Sequence, residues 1–494
     1  RMHESPIWTG SEWQWDLISR VYDECDLIAR EEMGLSIYPN QLEMISSEQM
    51  LDAYASVGMP IYYKHWSFGK HFVRESRNYH SGSGGLAYEL VINSSPCINY
   101  LMEDNTMTTQ ALVIAHAAFG HNHFFKNNYL FKQWTDASSI VDYLIFARDY
   151  IAEAELKHGK AEVEKWLDSC HALMDHGVNR YKRPSKISMK KEKQRQRERA
   201  EYLQSQVSEL YRLLPRKRVE ETTEKPFPPH PEENLLYFFE KYSPEITEWQ
   251  REVLRIVRKI AQYFYPQAQT KVMNEGFASF AHYTIMNRLH EKGLTTDGAQ
   301  LEFLALHTNV LYQPPYNSKR YNGLNPYALG FAMLKDIERM CQCPTSEDLK
   351  WFPGIANRNG LDIILEGVAD FRDESFIRQW LSPKVMRDFR LFNVRDDRSD
   401  DEKYVVTEIH NERGYEEIRQ KLADSYLRSA MVPHIEVCRV DRKTRTLFLQ
   451  YNEHMGLKLA NVDRMLPHVT RLWGGYPVVI LDQWDNSIAR SQSC

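Results

Sequence analysis

The sequence contains no run of about 18 consecutive apolar residues, the length that a membrane-spanning helix needs. Residues 1–8 hold no basic segment followed by an apolar stretch, so no secretory signal is visible, although the sequence starts with Arg rather than Met. The seven cysteines form no regular pattern, because only Cys341 and Cys343 are close together and no second pair is present to complete a zinc site. These absences predict a cytoplasmic protein with reduced thiols and no membrane span.

A large excess of charge is also missing, since the formal net charge is only -5 over 494 residues. A value this small indicates little about binding partners. Hydrophobic residues make up 43% of the chain and aromatic residues 12%, which is ample for folded cores and argues against disorder over most of the length. The length exceeds what one hydrophobic core usually serves, so we expect at least two domains.

The composition changes abruptly at about residue 180. Ten Lys or Arg residues lie between 180 and 199, and residues 226–231 are rich in proline. This pattern is typical of an exposed basic helix followed by a connector, and it lacks the interleaved aromatic residues of a nucleic-acid stacking surface. Because helical patterns occur on both sides, the predicted segments are one helical domain in two parts, a linker between them and a C-terminal domain: 1–180 (with a small strand region), 181–231, 232–398 and 399–494.

The C-terminal segment has the alternating pattern of a small α/β domain. The predicted order is strand, helix, strand, strand, helix and strand, over residues 404–408, 415–427, 434–440, 446–451, 462–473 and 477–482. A βαββαβ order predicts a ferredoxin-like domain. That fold hosts many functions, so it identifies none by itself.

Three histidines lie on one apolar helical segment, at His116, His121 and His123. On a regular α-helix His116 and His123 share a face but lie about 10 Å apart along the axis. His116 and His121 are five residues apart, a spacing that suits a π-bulge, where residues i and i+5 become neighbours. Gly120 would make such a distortion cheap. We therefore expect a π-bulge that brings His116 and His121 together.

A second helical pattern, over residues 273–283, places Glu275 and Ser279 on one face, and Gly276 would permit the close approach of another helix. A carboxylate that faces two imidazoles makes the His2Glu ligand set of a catalytic zinc site. The two segments together therefore point to a site for Zn²⁺ or another divalent transition metal.

These two segments resemble the metal-binding helices of gluzincin aminopeptidases, which read His-Glu-x-x-His and Asn-Glu-Gly-Phe-Ala. The resemblance implies a zincin-like helical region in an α+β protein, with His116, His121 and Glu275 as metal ligands. The sequence departs from the gluzincin pattern in three ways. Ala117 stands where the catalytic Glu belongs, the histidines are five rather than four residues apart, and about 150 residues separate the two helices.

Two further sets of residues stay open. His123 and His282 are alternative metal ligands or outer partners of the ligands. Because Ala117 cannot accept a proton, the general base of a hydrolase would come from elsewhere, and the candidates are Glu155, His158, His171 and His282. The sequence alone leaves the catalytic residue unknown.

A wider resemblance spans nearly the whole chain. Residues 115–123, 178–184, 274–282 and 374–385 carry long motifs similar to those of the SpoVR family. The family takes its name from spore cortex formation, and its members occur beside a serine protein kinase and a von Willebrand A-type protein in stress and stationary-phase settings. The resemblance implies either a metal-dependent hydrolase or a catalytically inactive regulatory or scaffold protein that acts with those two partners.

Overall fold

The computed structural model describes residues 5–50, 89–179, 194, 197, 226–391, 393–397, 400–407, 412–452 and 462–491. The chain forms two compact units: residues 1–167 with 262–431, and residues 168–261 with 432–494. The four segments proposed from the sequence remain a prediction, and most of the basic segment 181–231 lies outside the described residues.

Helices dominate the first unit, and the mixed α+β class with a mainly helical body is confirmed. The described helices of the chain are α1 Trp15–Leu27, α2 Met107–Val113, α3 Asn122–Asn127, α4 Tyr129–Trp134, α5 Ile140–His158, α6 Lys160–Ala172, α7 Leu235–Tyr242, α8 Glu248–Gln269, α9 Lys271–Glu291, α10 Asp297–Val310, α11 Pro326–Gln342, α12 Ser346–Trp351, α13 Gly360–Asp370, α14 Asp373–Trp380, α15 Pro383–Asp388, α16 Glu412–Ser425, α17 Arg428–Met431 and α18 Val462–Leu472. None of these described helices is long and apolar enough to cross a bilayer.

The strands make three small sheets. They are β1 Asn40–Ile45, β2 Glu89–Ile92, β3 Cys97–Met102, β4 Asn393–Asp397, β5 Asp400–Thr407, β6 His434–Asp441, β7 Thr446–Asn452, β8 Val478–Leu481 and β9 Ser487–Arg490. In the first sheet β3 is central, parallel to β1 and antiparallel to β2. Every residue of β3 is buried, and its pairing with β2 places Glu89, the first residue of β2, opposite Leu101.

A continuous helical stretch carries the histidines. It begins at Thr106, whose side chain accepts a hydrogen bond from the backbone N–H of Thr109, and it runs through α2, a π-helical turn at Ile114–His121, and α3. The predicted π-bulge is therefore confirmed.

Gly120 has a different role from the one expected. It is not among the glycines with positive φ, and a Cβ added there would lie 2.6 Å from the Cα of Ala278 on α9. The glycine is therefore needed because it lets the π turn pack closely against α9.

Helix α9 lies in the middle of the first unit, and most of its residues are buried. A helix that is covered on several faces shows little amphipathic pattern. Its Gly276 faces Gly330 of α11, where an added Cβ would lie 2.5 Å from the partner backbone. The predicted close helix approach at Gly276 is confirmed, and the helix that it meets is α11.

The prediction of a ferredoxin-like topology for the C-terminal segment is wrong. The individual elements α16, α18, β6, β7 and β8 do form close to where they are predicted. In the second unit the four-stranded sheet has the order β6-β7-β8-β9, and α18 connects β7 to β8, its direct parallel neighbour. A ferredoxin-like fold needs another strand between those two. The strand predicted at 404–408 overlaps β5 at residues 404–407, and residue 408 lies outside the described residues. Strand β5 pairs with β4 in a separate two-stranded sheet.

Candidate metal centre

Four buried or nearly buried side chains converge in the first unit: Glu89 from β2, His116 and His121 from the π turn, and Glu275 from α9. Each offers one donor atom, and the four atoms lie within 4.8 Å of one another. The cluster therefore consists of two imidazoles and two carboxylates. They come from the π turn, from α9 and from β2, which is an edge strand of the first sheet.

The separations between the donor atoms match the size of a metal ion. Nε2 of His116 lies 3.3 Å from Oε2 of Glu89 and 3.5 Å from Oε2 of Glu275. Nε2 of His121 lies 3.0 Å from Oε1 of Glu89 and 3.3 Å from Oε2 of Glu275. Metal–ligand bonds of about 2.0–2.2 Å in a tetrahedral arrangement put neighbouring donors about 3.4 Å apart. The residues present therefore fit a small divalent transition ion.

The π turn makes this geometry possible. On a regular α-helix, residues five apart point in directions that differ by about 140°. In the π turn the rings of His116 and His121 are neighbours, with centroids 4.8 Å apart. The five-residue spacing and the local widening of the helix thus place both Nε2 atoms on the same side.

Two atoms of the cluster are buried without hydrogen bonds. Among the described residues, neither Nε2 of His116 nor Oε2 of Glu275 has a hydrogen-bond partner. A buried polar atom that makes no hydrogen bond costs free energy, and buried exceptions call for a specific explanation. Because both atoms face the centre of the cluster, coordination of a cation would satisfy both at once.

The electrostatics of the cluster favour a cation. Burial alone lowers the pKa of His121, but the carboxylates of Glu275 and Glu89 raise it well above its usual value. Burial raises the pKa of Glu275, whereas Lys271 and His121 hold it well below its usual range. Glu275 is therefore ionised, and positive charge at the centre is stabilised.

The outward-facing nitrogens of both imidazoles have partners. Nδ1 of His121 lies 2.7 Å from Oδ1 of Asn274, and Nδ1 of His116 lies 2.8 Å from Nδ1 of His282. An amide oxygen can only accept, so Nδ1–H of His121 donates to Asn274, and a metal bound at Nε2 would take the place of the second proton, which the two carboxylates favour. Metal-binding histidines use this arrangement, since the outer hydrogen bond sets the tautomer and the ring orientation.

The structure brings together His116, His121 and Glu275 and adds Glu89. His282 contacts the outer nitrogen of His116. His123 faces elsewhere, because the backbone N–H of Ser36 donates to its Nδ1 at 3.0 Å, and burial lowers its pKa to about 4.

The other predicted side chains are not part of the cluster. Glu155 and His158 lie on α5, where His158 is exposed, and His171 lies on α6 in the second unit. None of the three is among the four clustered residues. Ala117 is buried on the π turn and offers no proton acceptor.

Sequence reasoning missed Glu89. It is the sole charged residue of the strand-like stretch 86–92 and starts β2, which is otherwise apolar. A single carboxylate in an apolar strand is the signal that could have found it, because an ionised side chain is buried only beside a partner.

Comparison with known proteins gave two family matches and one close relative. A family model described as SpoVR like protein matches residues 12–431, and one described as SpoVR-like C-terminal domain matches residues 433–486. The chain is 56% identical over 493 residues to the "Uncharacterized protein YcgB" of Escherichia coli (strain K12), an alignment that covers 98% of this chain and 96% of the relative. No solved structure matched.

Proposed function

The chain belongs to the SpoVR family, and on that premise we propose that it is a metal-dependent hydrolase with a zincin-like centre. His116, His121 and Glu275 are the proposed ligands. One observation carries the proposal: Nε2 of His116 and Oε2 of Glu275 are buried without a hydrogen bond among the described residues. Oε2 of Glu275 lies 3.5 Å from Nε2 of His116 and 3.3 Å from Nε2 of His121.

Two imidazole nitrogens and a carboxylate oxygen suit Zn²⁺ or another divalent transition ion better than Mg²⁺ or Ca²⁺, which prefer oxygen donors. Bound there, such an ion would supply Lewis acidity to polarise a carbonyl or phosphoryl group and to activate water. Glu275 presents Oε2 to both imidazoles, while its Oε1 lies 3.3 Å from Nζ of Lys271. Lys271 therefore orients this carboxylate as a one-oxygen ligand.

Glu89 is the proposed proton acceptor of the reaction. It reaches the centre from β2, and it places a different oxygen near each imidazole, Oε2 near His116 and Oε1 near His121. A hydrolase needs a base within hydrogen-bond reach of the attacking water. Glu89 would fill the role that Ala117 cannot, receiving the proton on a carboxylate oxygen.

Metal analysis of purified variants tests the assignment without knowledge of the substrate. We expect about one transition ion per parent chain, lost in His116→Ala, His121→Ala and Glu275→Ala. Glu89→Gln should keep the ion. Retention of metal by His116→Ala, or loss of it from Glu89→Gln, would contradict the proposed roles. A panel of peptide, amide and ester substrates then measures turnover, which Glu89→Gln should abolish.

A second function has one observation in its favour, the buried Ala117 in the position of the usual base. In that case the chain is a regulatory or scaffold protein of the cytoplasm, acting in sporulation or stationary-phase stress with a serine protein kinase and a von Willebrand A-type partner. Metal-loaded protein that hydrolyses nothing in the panel but binds either partner in a direct binding assay would favour this alternative.

A further inference from the structure

Three histidines form an unbroken hydrogen-bonded row that leads away from the cluster. Nδ1 of His116 meets Nδ1 of His282 at 2.8 Å, and Nε2 of His282 meets Nδ1 of His307 at 2.7 Å. The residues come from the π turn, α9 and α10. Of these three histidines, only His116 is a proposed metal ligand.

A neutral imidazole has one N–H donor and one bare acceptor nitrogen. A row of three neutral rings therefore has two self-consistent directions. When every ring donates away from the cluster, Nε2 of His116 is bare and can bind a metal. When every ring donates toward it, Nε2–H of His116 points at the carboxylates of Glu89 and Glu275 and blocks the site. Each ring keeps one proton in both directions.

The row is buried. His116 and His282 are 0% exposed, and His307 at 7% is the member with some solvent contact. Tyr283 and Phe331 cover the ring of His307, with centroids 4.8 and 5.0 Å away. Burial disfavours the charged form of His307 and lowers its pKa to about 4.

The two ligand histidines are therefore oriented by different means. Asn274 forces one direction on His121 because an amide oxygen cannot donate. His282 is itself able to donate or accept at Nδ1, so the direction at His116 depends on what His307 does at the far end of the row.

We propose that His282 and His307 are positioning residues that hold His116 in its metal-binding tautomer, with His307 as the last acceptor of the row. Metal binding then fixes the row in the single direction in which Nδ1 of His307 accepts from His282. This inference rests on the proposed metal centre. It gives α10, which supplies none of the clustered donors, a defined part in metal affinity.

The test compares two substitutions of His307 in the full-length chain, with Co²⁺ as the probe. His307→Ala removes the acceptor, whereas His307→Asn keeps an acceptor oxygen near the position of Nδ1. We expect His307→Ala to weaken Co²⁺ binding roughly 10- to 100-fold and His307→Asn to stay within about threefold of the parent. His290→Ala is the matched control on α9, since Nδ1 of His290 bonds Thr295 and not the row.

A spectroscopic readout separates positioning from loss of packing. In the Co²⁺ form, the Nδ1–H protons of both ligand histidines give hyperfine-shifted, exchangeable proton resonances. In His307→Ala the one from His116 should exchange faster while the one from His121 is unchanged. Equal Co²⁺ affinity in parent and His307→Ala would overturn the inference and leave the metal centre standing. Equal weakening in His307→Asn and His307→Ala would also overturn it, and a parent that takes up no Co²⁺ would overturn both proposals.

Discussion

At the residue scale, the outer nitrogen of each imidazole proposed as a ligand would influence how well the inner nitrogen binds a metal. For His121 this role belongs to Asn274, whose Oδ1 lies 2.7 Å from Nδ1. Asn274 is buried on α9, next to the proposed ligand Glu275. A substitution at Asn274 keeps all the proposed donor atoms and changes only the hydrogen bond that orients His121. Its effect on metal affinity therefore tests the role of that hydrogen bond.

We predict that Asn274→Ala weakens Zn²⁺ or Co²⁺ binding roughly 10- to 100-fold, because His121 loses its outer hydrogen bond. Asn274→Asp keeps an acceptor and should bind the metal at least as tightly as the parent chain. Competition titration with a chelating dye measures both. Ser279→Ala is the control, since Oγ of Ser279 is buried without a hydrogen bond in the described part of the chain and should not affect affinity. Unchanged affinity in Asn274→Ala would argue against His121 as a ligand.

At the scale of elements, the site depends on how closely the π turn and α9 approach. Gly120 allows that approach, since an added Cβ would lie 2.6 Å from Cα and 3.0 Å from Cβ of Ala278. Neither neighbour is the end of a flexible side chain, so the helices themselves would have to separate. Stability and metal binding should therefore change together at this contact.

We predict that Gly120→Ala lowers the free energy of unfolding by about 1–3 kcal/mol and weakens metal binding in the same variant. The control is Gly298→Ala on α10, where the nearest atom to an added Cβ is Oγ1 of Thr296 at 3.9 Å. That change should be neutral or add about 0.5–1 kcal/mol, because alanine favours the helix. Urea unfolding measures both, and a Gly120→Ala chain as stable as the parent would contradict the packing argument.

An acid-linked contribution to stability comes from the junction of α11 and α12. Arg339 donates two hydrogen bonds to Asp348, at 2.7 and 3.0 Å, and the backbone N–H of Thr345 donates a third. Burial alone would raise the pKa of Asp348, but these donors lower it to about 2. A carboxyl with a lowered pKa in the folded state stabilises the fold above its unfolded pKa of about 4, and that contribution is lost as the pH falls toward 2.

We predict that Asp348→Asn lowers the free energy of unfolding by about 2 kcal/mol at pH 7, and that the difference from the parent shrinks between pH 4 and pH 2. Arg339→Met should show a similar loss with the same pH dependence, since it removes the main donor. Chemical unfolding of the three proteins across this range makes the measurement. A difference that stays constant with pH would show that the loss comes from packing.

At the scale of the whole molecule, a bound ion would join parts of the first unit that are far apart in the chain: β2, the π turn and α9. Ligands that bind only the folded state stabilise it by mass action. A metal at this centre should therefore act as a cross-link between the N-terminal and central segments of the unit.

We predict that removing the metal lowers the melting temperature by several degrees, since saturation at 100 times Kd contributes about 2.7 kcal/mol. Calorimetry of metal-loaded protein before and after treatment with a chelator measures the shift. His116→Ala should melt at the same temperature with and without the chelator. Identical melting of the loaded and stripped parent chains would show that the cluster takes up no stabilising ion.

Features that depend on local spacing could be predicted from the amino-acid sequence. Histidines five apart on an apolar helix predict a π turn, because that spacing brings their rings together only when the helix widens. Small residues around Glu275 predict close helix contact, and period-2 and period-3.6 patterns locate β6, β7, β8, α16 and α18. The long motifs shared with the SpoVR family carry the family membership in the same way, residue by residue.

Contacts between residues that are far apart in the sequence are visible only in the folded chain. Glu89 joins the cluster because β2 pairs with β3, and no spacing between residue 89 and residue 116 encodes that contact. The row from His116 to His282 spans 166 positions of sequence, and the pairing of β5 with β4 replaced the expected ferredoxin-like order. Such choices follow from packing over the whole unit, where many alternatives are consistent with the same local pattern.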